Sequence, residues 1–361
     1  MRICSQQLRM LNPRWDNPLS RSPPPQSGIA ELVVVSEEGE IILEMKVATD
    51  LALLRQIIGG IPGQKRVVFE EGPLSGRLTD ALRDVADDVI SCDPAQNALI
   101  ARAEDSNDER DARRLALLAR TNALRPVFVP PEPYRTLRSL MVHDRNLQRG
   151  VTQAKNRIKA LCRRVGIRYH GKSVYSAGNR GGVLSQIPEA GLRWQISSLY
   201  RELDLLRRER DGVRPTVKGV ARRLRVIDQL QSAPGVGPIT ARTAVAWVVD
   251  PGRFRNRKAL SSYAGLGLGQ GWTNWKPTGH AKASKRGQRE LKRVLFLAAN
   301  AAIKGDNALA RRYQARLDAG WEHGKAIRDT ARTLLYTLAK MWTTGKEYDD
   351  NRVSVPSSEE R

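Results

Sequence analysis

The sequence predicts an α/β domain, then a long helical hairpin, then a mainly α C-terminal domain with a helix-hairpin-helix-like element. Three observations carry this. Short runs rich in β-branched residues alternate with helix-period segments between residues 30 and 125, the pattern of a partly parallel sheet with helices packed on it. Prolines at Pro126, Pro130, Pro131 and Pro133 end the strand runs. Beyond them apolar residues recur at helical spacing, as on one face of a helix.

Residues 1–29 are expected to form a disordered extension. Ser22-Pro23-Pro24-Pro25-Gln26-Ser27-Gly28 suits neither a helix interior nor a central strand. Glu31-Leu32-Val33-Val34-Val35-Ser36 reads as a strand, Glu37-Glu38-Gly39-Glu40 as a turn and Ile41–Val47 as the returning strand. A helix at 49–59, a strand at Arg66–Glu70 and a helix at Leu74–Val85 follow. A strand at Asp88–Ser91 and a helix at 109–120 complete the domain, which spans 30–125.

In the segment 126–221, Leu140, Leu147, Val151, Ile158, Leu161 and Val165 form one helical stripe, and Ile196, Leu199, Leu203 and Leu206 another. Residues 168–190 between them read as a glycine-containing loop. Two long helices joined by a loop form an antiparallel hairpin or coiled coil. The apolar seam is narrow, so two readings stand: a surface that pairs with a second copy, giving a homo-oligomer, or an ordinary helical subdomain. The segment 222–346 reads as a third, mostly helical domain. Its last helix, about 324–343, has Ile327, Ala331, Leu334, Leu335, Leu338 and Met341 on its apolar side. Residues 347–361 read as a frayed polar tail.

Lys and Arg number 61 against 38 Asp and Glu, a formal net charge of +23. That balance points to a polyanionic partner, most often nucleic acid. The segment 80–111 is acidic, so the charge is unevenly placed. No apolar run approaches the roughly 18–20 residues of a membrane span, and the N-terminus has no signal-peptide core. Cys4, Cys92 and Cys162 are scattered, which argues for a reducing, cytoplasmic setting and against a zinc site.

Several constellations could carry chemistry. Glu70 and Glu71 end a strand, Asp93 follows another, and Asp108 and Asp111 lie three apart at a helix start, so the last two share a face. Carboxylates gathered at the carboxyl ends of strands can hold Mg²⁺, which prefers oxygen ligands. Acids at a helix start also serve as plain capping groups. In Pro234-Gly235-Val236-Gly237-Pro238, Gly235 and Gly237 let the backbone approach a phosphate, toward which the amides of the following helix point. A plain helix–helix turn is the alternative. The stretch Gly265–Lys276 reads as a mobile glycine loop, in which Trp272 and Trp275 could stack on bases and Lys276 could hold a phosphate. Thr273 is a hydroxyl that needs a base or metal to act as a nucleophile. Lys282, Lys285, Arg286 and Arg289 form a dense positive run beside glycines, suited to phosphate contacts.

With these pieces in order, the chain resembles the insertion-sequence-110 transposases, which group with the Piv-type DNA invertases. The resemblance covers roughly 31–345. Val67-Val68-Phe69-Glu70-Glu71-Gly72 resembles the second-acid strand, Ser91-Cys92-Asp93-Pro94-Ala95-Gln96 the strand-end Asn-Pro segment, and Asp108-Glu109-Arg110-Asp111-Ala112 the final Asp-x-x-Asp-Ala. Pro234–Pro238, Phe254-Arg255-Asn256, Leu260–Leu266 and Ser284-Lys285-Arg286-Gly287 follow the family's order and spacing.

The resemblance implies a ribonuclease-H-like (RuvC-like) DEDD domain with Mg²⁺ held by Glu70, Asp108 and Asp111. It implies DNA recombination at element ends and target, and it admits an element-encoded guide RNA. Two positions depart from the pattern. Proline-rich Leu19–Gly28 stands where the first-acid strand belongs, with Asp16 upstream, and Thr273 is the hydroxyl nearest the family's nucleophilic serine. The expected activity is metal-dependent strand cleavage and exchange. The alternatives are an inactive DNA- or RNA-binding remnant and a junction-resolving nuclease.

Overall fold

The computed structural model describes residues 6–10, 28–93, 108–273, 276–283 and 287–356, with 6–10, 108–110, 268–273 and 276–283 as backbone alone. The chain divides into two compact units, Met1–Pro131 and Glu132–Arg361.

The first unit is built on a six-stranded sheet of order β3-β2-β1-β4-β5-β6. Its strands are β1 (Gln6–Met10), β2 (Ile29–Val35), β3 (Ile41–Ala48), β4 (Arg66–Glu70), β5 (Asp88–Cys92) and β6 (Pro126–Val127). β1, β4 and β5 are mutually parallel, whereas β2, β3 and β6 pair antiparallel to their neighbours. The helices are α1 (Leu51–Gly60), α2 (Ser75–Leu82) and α3 (Asp108–Arg120).

Side-chain alternation sets the layers. Leu32, Val67 and Phe69 pack with Leu54, Ile58, Leu78 and Leu82 of α1 and α2. Their sequence neighbours Val33 and Val35 pack with Ala112 and Ala116 of α3, and Val68 and Cys92 pack with Leu115 and Ala119. Successive strand residues point to opposite faces, so a strand covered on both faces reads as a continuous apolar run. That is why β2 is buried at six consecutive positions after Ile29.

Two strands of this sheet were not expected, one of them within the stretch 1–29 expected to be disordered. Residues 1–29 hold strand β1, which pairs with β2 over five residues and with β4 over three. Its sequence Gln6-Gln7-Leu8-Arg9-Met10 lacks the β-branched enrichment that marks a strand. The two-residue β6 is too short to leave a periodic signal.

The second unit opens with α4 (Tyr134–Arg164) and α6 (Ala190–Ala221), each roughly 45–48 Å long at 1.5 Å per residue. They run antiparallel: Asp144 meets Arg210, Gly150 faces Leu206, and Arg157 meets Glu202. Two cores lie along them. The distal one gathers Val151, Ile158, Cys162, Ile196, Tyr200 and Leu203. The segment 168–190, expected as a loop, contributes a 3-10 turn (Ser173–Tyr175) and helix α5 (Ala177–Ser185) to it. Those elements are held by side chains of distant residues: Arg180 forks onto Asp204 at 2.5 and 2.7 Å, and the Tyr200 hydroxyl donates to the Val174 carbonyl at 2.8 Å.

Leu137, Met141, Val217 and Ala221, at the other end of the hairpin, join the larger core. This core contains α7 (Val226–Leu230), α8 (Pro238–Val248), α9 (Arg257–Tyr263), α10 (Arg289–Ala302), α11 (Ala308–Asp318) and α12 (His323–Thr344). Strands β7 (Leu268–Thr273) and β8 (Lys276–Ala283) pair as a hairpin, where a mobile glycine loop was expected. The segment after 346 is not frayed throughout. The Tyr348 amide donates to Ser232 Oγ, Arg312 donates to the Ser354 carbonyl, and Val353 is buried.

Candidate active site and nucleic-acid interface

The acidic candidates lie at one edge of the first unit's sheet. Glu70 is the last residue of β4, and Asp93 follows β5, which runs parallel to it. Helix α3 returns along the sheet in the opposite sense. Arg120, in its last turn, donates to the Glu37 carbonyl, and Asn122 just beyond accepts from Arg66 at the start of β4. The first turn of α3, with Asp108 and Asp111, is therefore directed toward the carboxyl ends of β4 and β5. The Asp111 side chain is part-buried, 3.5 Å from Arg114; the Asp108 side chain lies outside the described atoms.

Carboxylate oxygens suit a hard divalent cation, so the donor chemistry at this edge fits Mg²⁺ in kind. Among the described residues no three metal-ligating side chains converge. β1, whose carboxyl end lies at the same edge, carries no carboxylate. Leu19–Gly28, the stretch aligned with the first-acid strand, lies outside the described residues except for Gly28, and so does Asp16. Among the described acids just upstream of Asp93, Asp84 pairs with Arg55, and Asp88 with Arg66.

In the second unit the glycine motifs have packing roles. Gly235 has φ +74°, and a Cβ there would lie 2.1 Å from the Ala298 carbonyl oxygen and 2.8 Å from the Ala302 amide nitrogen of α10. Only glycine fits so close a backbone approach. Gly237 differs: it is the exposed N-cap of α8, with open space around its Cβ position, and Pro238 occupies the first helical position. The N-terminal amides of a helix so capped are unpaired within the helix.

Gly287, at φ +101°, sits against Gly265: a Cβ would lie 2.5 Å from the Gly265 nitrogen and 2.9 Å from the Ser262 carbonyl oxygen. The Gln288 amide donates to the Tyr263 carbonyl at 2.7 Å. Together these contacts close the base of the β7–β8 hairpin. Asn256 caps α9 through the Ala259 amide, and the Tyr263 hydroxyl donates to the Trp247 carbonyl. Arg253 stacks over Phe254 and Tyr263 at 4.1 and 4.7 Å. Burial pushes the Arg253 pKa below its ordinary value, an effect that the partner Tyr263 opposes.

Thr273 and Lys276 are paired residues next to the hairpin turn, and Lys282 pairs with Gly269 near its base; their backbones alone are described. Lys285 and Arg286 lie outside the described residues. Arg289 is exposed at the first position of α10. Beside it, Glu290 pairs with Arg145 of α4 and with Arg293. Burial first, then Arg293 and Arg149, lowers the Arg145 pKa, which marks a crowded cationic surface. Arg145 and Arg149 were not singled out from the sequence, because only folding brings α4 beside α10.

A buried ion cluster lies between α11 and α12. Asp329 accepts from Arg312 and Arg316 at 2.9 and 3.4 Å and from Arg332 at 2.7 Å. Burial is the largest influence on its carboxyl and pushes the pKa up; bonds from Arg332 and Arg312 outweigh it, leaving the group below its ordinary value.

Comparison with known proteins supplies the class. Residues 227–314 match the model described as Transposase IS116/IS110/IS902 family, and residues 28–166 match the DEDD transposase model of IS110 elements. These two matches take in most of the α/β unit and the helical core from α7 into α11, and both models describe transposases of insertion sequences. The chain belongs to the IS110 family. It is similar to the "Insertion element IS110 uncharacterized 43.6 kDa protein" of Streptomyces coelicolor, 29% identical over 158 residues. That match covers 43% of this chain and 38% of the relative, so the chain spans under half the length of the curated protein it matches. Among the described residues no helix is long and apolar enough to cross a membrane.

Proposed function

We propose that the chain binds the DNA of its insertion element and catalyses metal-dependent strand cleavage and exchange. The observation that carries this is the parallel trio β1, β4 and β5 with Glu70 at the carboxyl end of β4 and the first turn of α3 directed to the same edge. Strand order and directions of this kind support a ribonuclease-H-like reading of the sheet, in which sites form outside the carboxyl ends of strands. Glu70, Asp108 and Asp111 would hold Mg²⁺, which supplies Lewis-acid stabilisation of a phosphoryl oxygen.

In the helical unit, Thr273 Oγ is the attacking hydroxyl. The hydroxyl gives up its proton as its oxygen bonds to phosphorus, the bond from phosphorus to one strand end breaks, and the departing sugar oxygen takes up a proton. A free strand-end hydroxyl then attacks the phosphothreonine ester, rejoins the DNA and restores the threonine hydroxyl. Lys276, Lys282, Lys285, Arg286 and Arg289 contact backbone phosphates, with the turn at Gly235–Pro238 acting as a helix-hairpin-helix-like element. Exposed Trp194 and Leu205 on α6 support pairing of two copies through the helical hairpin. A guide RNA is a second nucleic-acid partner in this reading.

The test is cleavage and joining of DNA carrying the element ends, with flanking RNA supplied, in Mg²⁺ and in chelator. Joining that needs Mg²⁺ and is lost in both Asp108→Ala/Asp111→Ala and Thr273→Ala is the expected result. Loss in the aspartate variant alone removes Thr273 from the mechanism and leaves a nuclease. The alternative reading is a DNA-binding remnant. Tight DNA binding without cleavage by the parent would establish it.

A further inference from the structure

The strongest unassigned feature is a cavity of about 440 Å³ where α4, α6 and the start of α8 meet. Four cationic side chains line it: Arg210, Arg214 and Lys218 from α6 and Arg242 from α8. Two carboxylates bear on them. Asp144, also in the wall, takes Arg210 Nε at 3.0 Å, and the exposed Asp211 takes Arg214 at 3.0 Å. The cluster thus keeps a positive excess.

Three further facts point to an anion. Arg242 is half-buried, pairs with no carboxylate among the described residues and leaves its Nε without an acceptor, so its charge in the cavity wall is unmatched within the protein. Pro238 and Ile239, the first residues of α8, also line the cavity, and behind them Gly237 leaves open space at a helix N-terminus where unpaired amides favour negative charge. Finally, Arg210, Arg214 and Lys218 recur every four residues, so they form one stripe along α6. Such a stripe suits an extended polyanion better than a single small ion.

We infer that this cavity binds a backbone phosphodiester of a nucleic-acid strand, held by Arg242 and Lys218 with Arg210 and Arg214 alongside. Asp144 holds the Arg210 guanidinium and so acts as a positioning residue. The inference deepens the nucleic-acid-binding reading given above and rests on it. It adds contacts from α6 and α8 that do not involve the β7–β8 hairpin or the segment at Lys285.

The test is equilibrium binding by fluorescence anisotropy, across a salt series, to a labelled DNA duplex and separately to a labelled single-stranded RNA. The full chain is compared with Arg242→Gln/Lys218→Gln and with the exposed-site variant Lys218→Gln, each checked for an unchanged melting temperature. Charge-assisted hydrogen bonds of this kind correspond to about ten- to a hundredfold in affinity, so the double variant should bind at least about tenfold more weakly. Its salt dependence should flatten by about one to two ion equivalents. If the double variant melts early, Lys218→Gln decides, with a flattening of about one. Loss on the duplex alone assigns the phosphate to DNA, and loss on the RNA alone assigns it to RNA. Unchanged affinity and slope on both, with the parent binding normally, overturns the inference and leaves the proposed function standing. A parent that binds neither strand overturns the proposed function itself.

Discussion

The two units use their family-matching residues in opposite ways. In the α/β unit, Glu70 and the first turn of α3 stand at strand and helix ends, positions the core does not need filled by carboxylates. In the helical unit, Gly235 and Gly287 are fixed by backbone approaches of 2.1 and 2.5 Å to the Cβ each lacks, and Asn256 and Tyr263 by a cap and a hydroxyl bond. A motif with the right order and spacing is thus architectural in the helical unit, whereas in the α/β unit the role we propose for it is chemical. The physical reason is steric. Glycine motifs mark places where backbones meet, whereas carboxylates at the ends of strands and helices contribute little to packing.

The sharpest break of that contrast lies within one turn. Gly235→Ala should cost about 3 kcal/mol or more, because both the positive φ and the clash with α10 are unfavourable. Gly237→Ala, in open space, should cost under about 1 kcal/mol, the scale of an altered N-cap. Chemical denaturation of the two variants checks this, and equal costs would dissolve the distinction.

Architecture in the helical unit also rests on charge. Asp329→Asn removes the acceptor of three arginines and should destabilise by about 3 kcal/mol at neutral pH. The folded pKa of Asp329 is lowered, so its stabilisation is fully present above the unfolded value of about 3.9 and is lost as pH falls below that value and through the folded one. Acid titration of stability should therefore fall more steeply in the parent than in the variant.

The α/β unit should behave otherwise. Asp111→Ala should cost only about 0.5 kcal/mol, the worth of one acid in a helix's first turn, while removing metal-dependent cleavage. The smallest structural effect is expected at Lys285→Ala/Arg286→Ala. This variant should melt with the parent, bind all DNA sequences more weakly and lower the salt dependence by about two ion equivalents. An unchanged salt series would remove that segment from the interface.

The sequence foretold the elements whose faces are periodic. β2, β3, α1, β4, α2, β5 and α3 fall within a few residues of their expected bounds, and the two long helices carry the expected stripes that begin at Leu140 and Ile196. Elements with weak local signals escaped. β1 is the polar stretch Gln6–Met10, which forms a strand by pairing on both sides with β2 and β4. Helix α5 carries three glycines and is held by contacts such as Arg180 with Asp204. Cross-strand pairing turned an expected glycine loop into β7 and β8. The acidic edge was legible because its residues end local elements. The cavity at α4, α6 and α8 was only half legible. Its Arg210, Arg214 and Lys218 stripe is written in the sequence, but the approach of Arg242 depends on tertiary packing.

The most direct test of the contrast is a paired measurement on Asp111→Ala and Gly235→Ala: melting temperature, and Mg²⁺-dependent cleavage of DNA carrying the element ends. The account predicts a parent-like melting temperature with cleavage abolished for Asp111→Ala, and a melting temperature lowered by several degrees for Gly235→Ala. Full cleavage by a folded Asp111→Ala protein, or an unaltered melting temperature for Gly235→Ala, would contradict it.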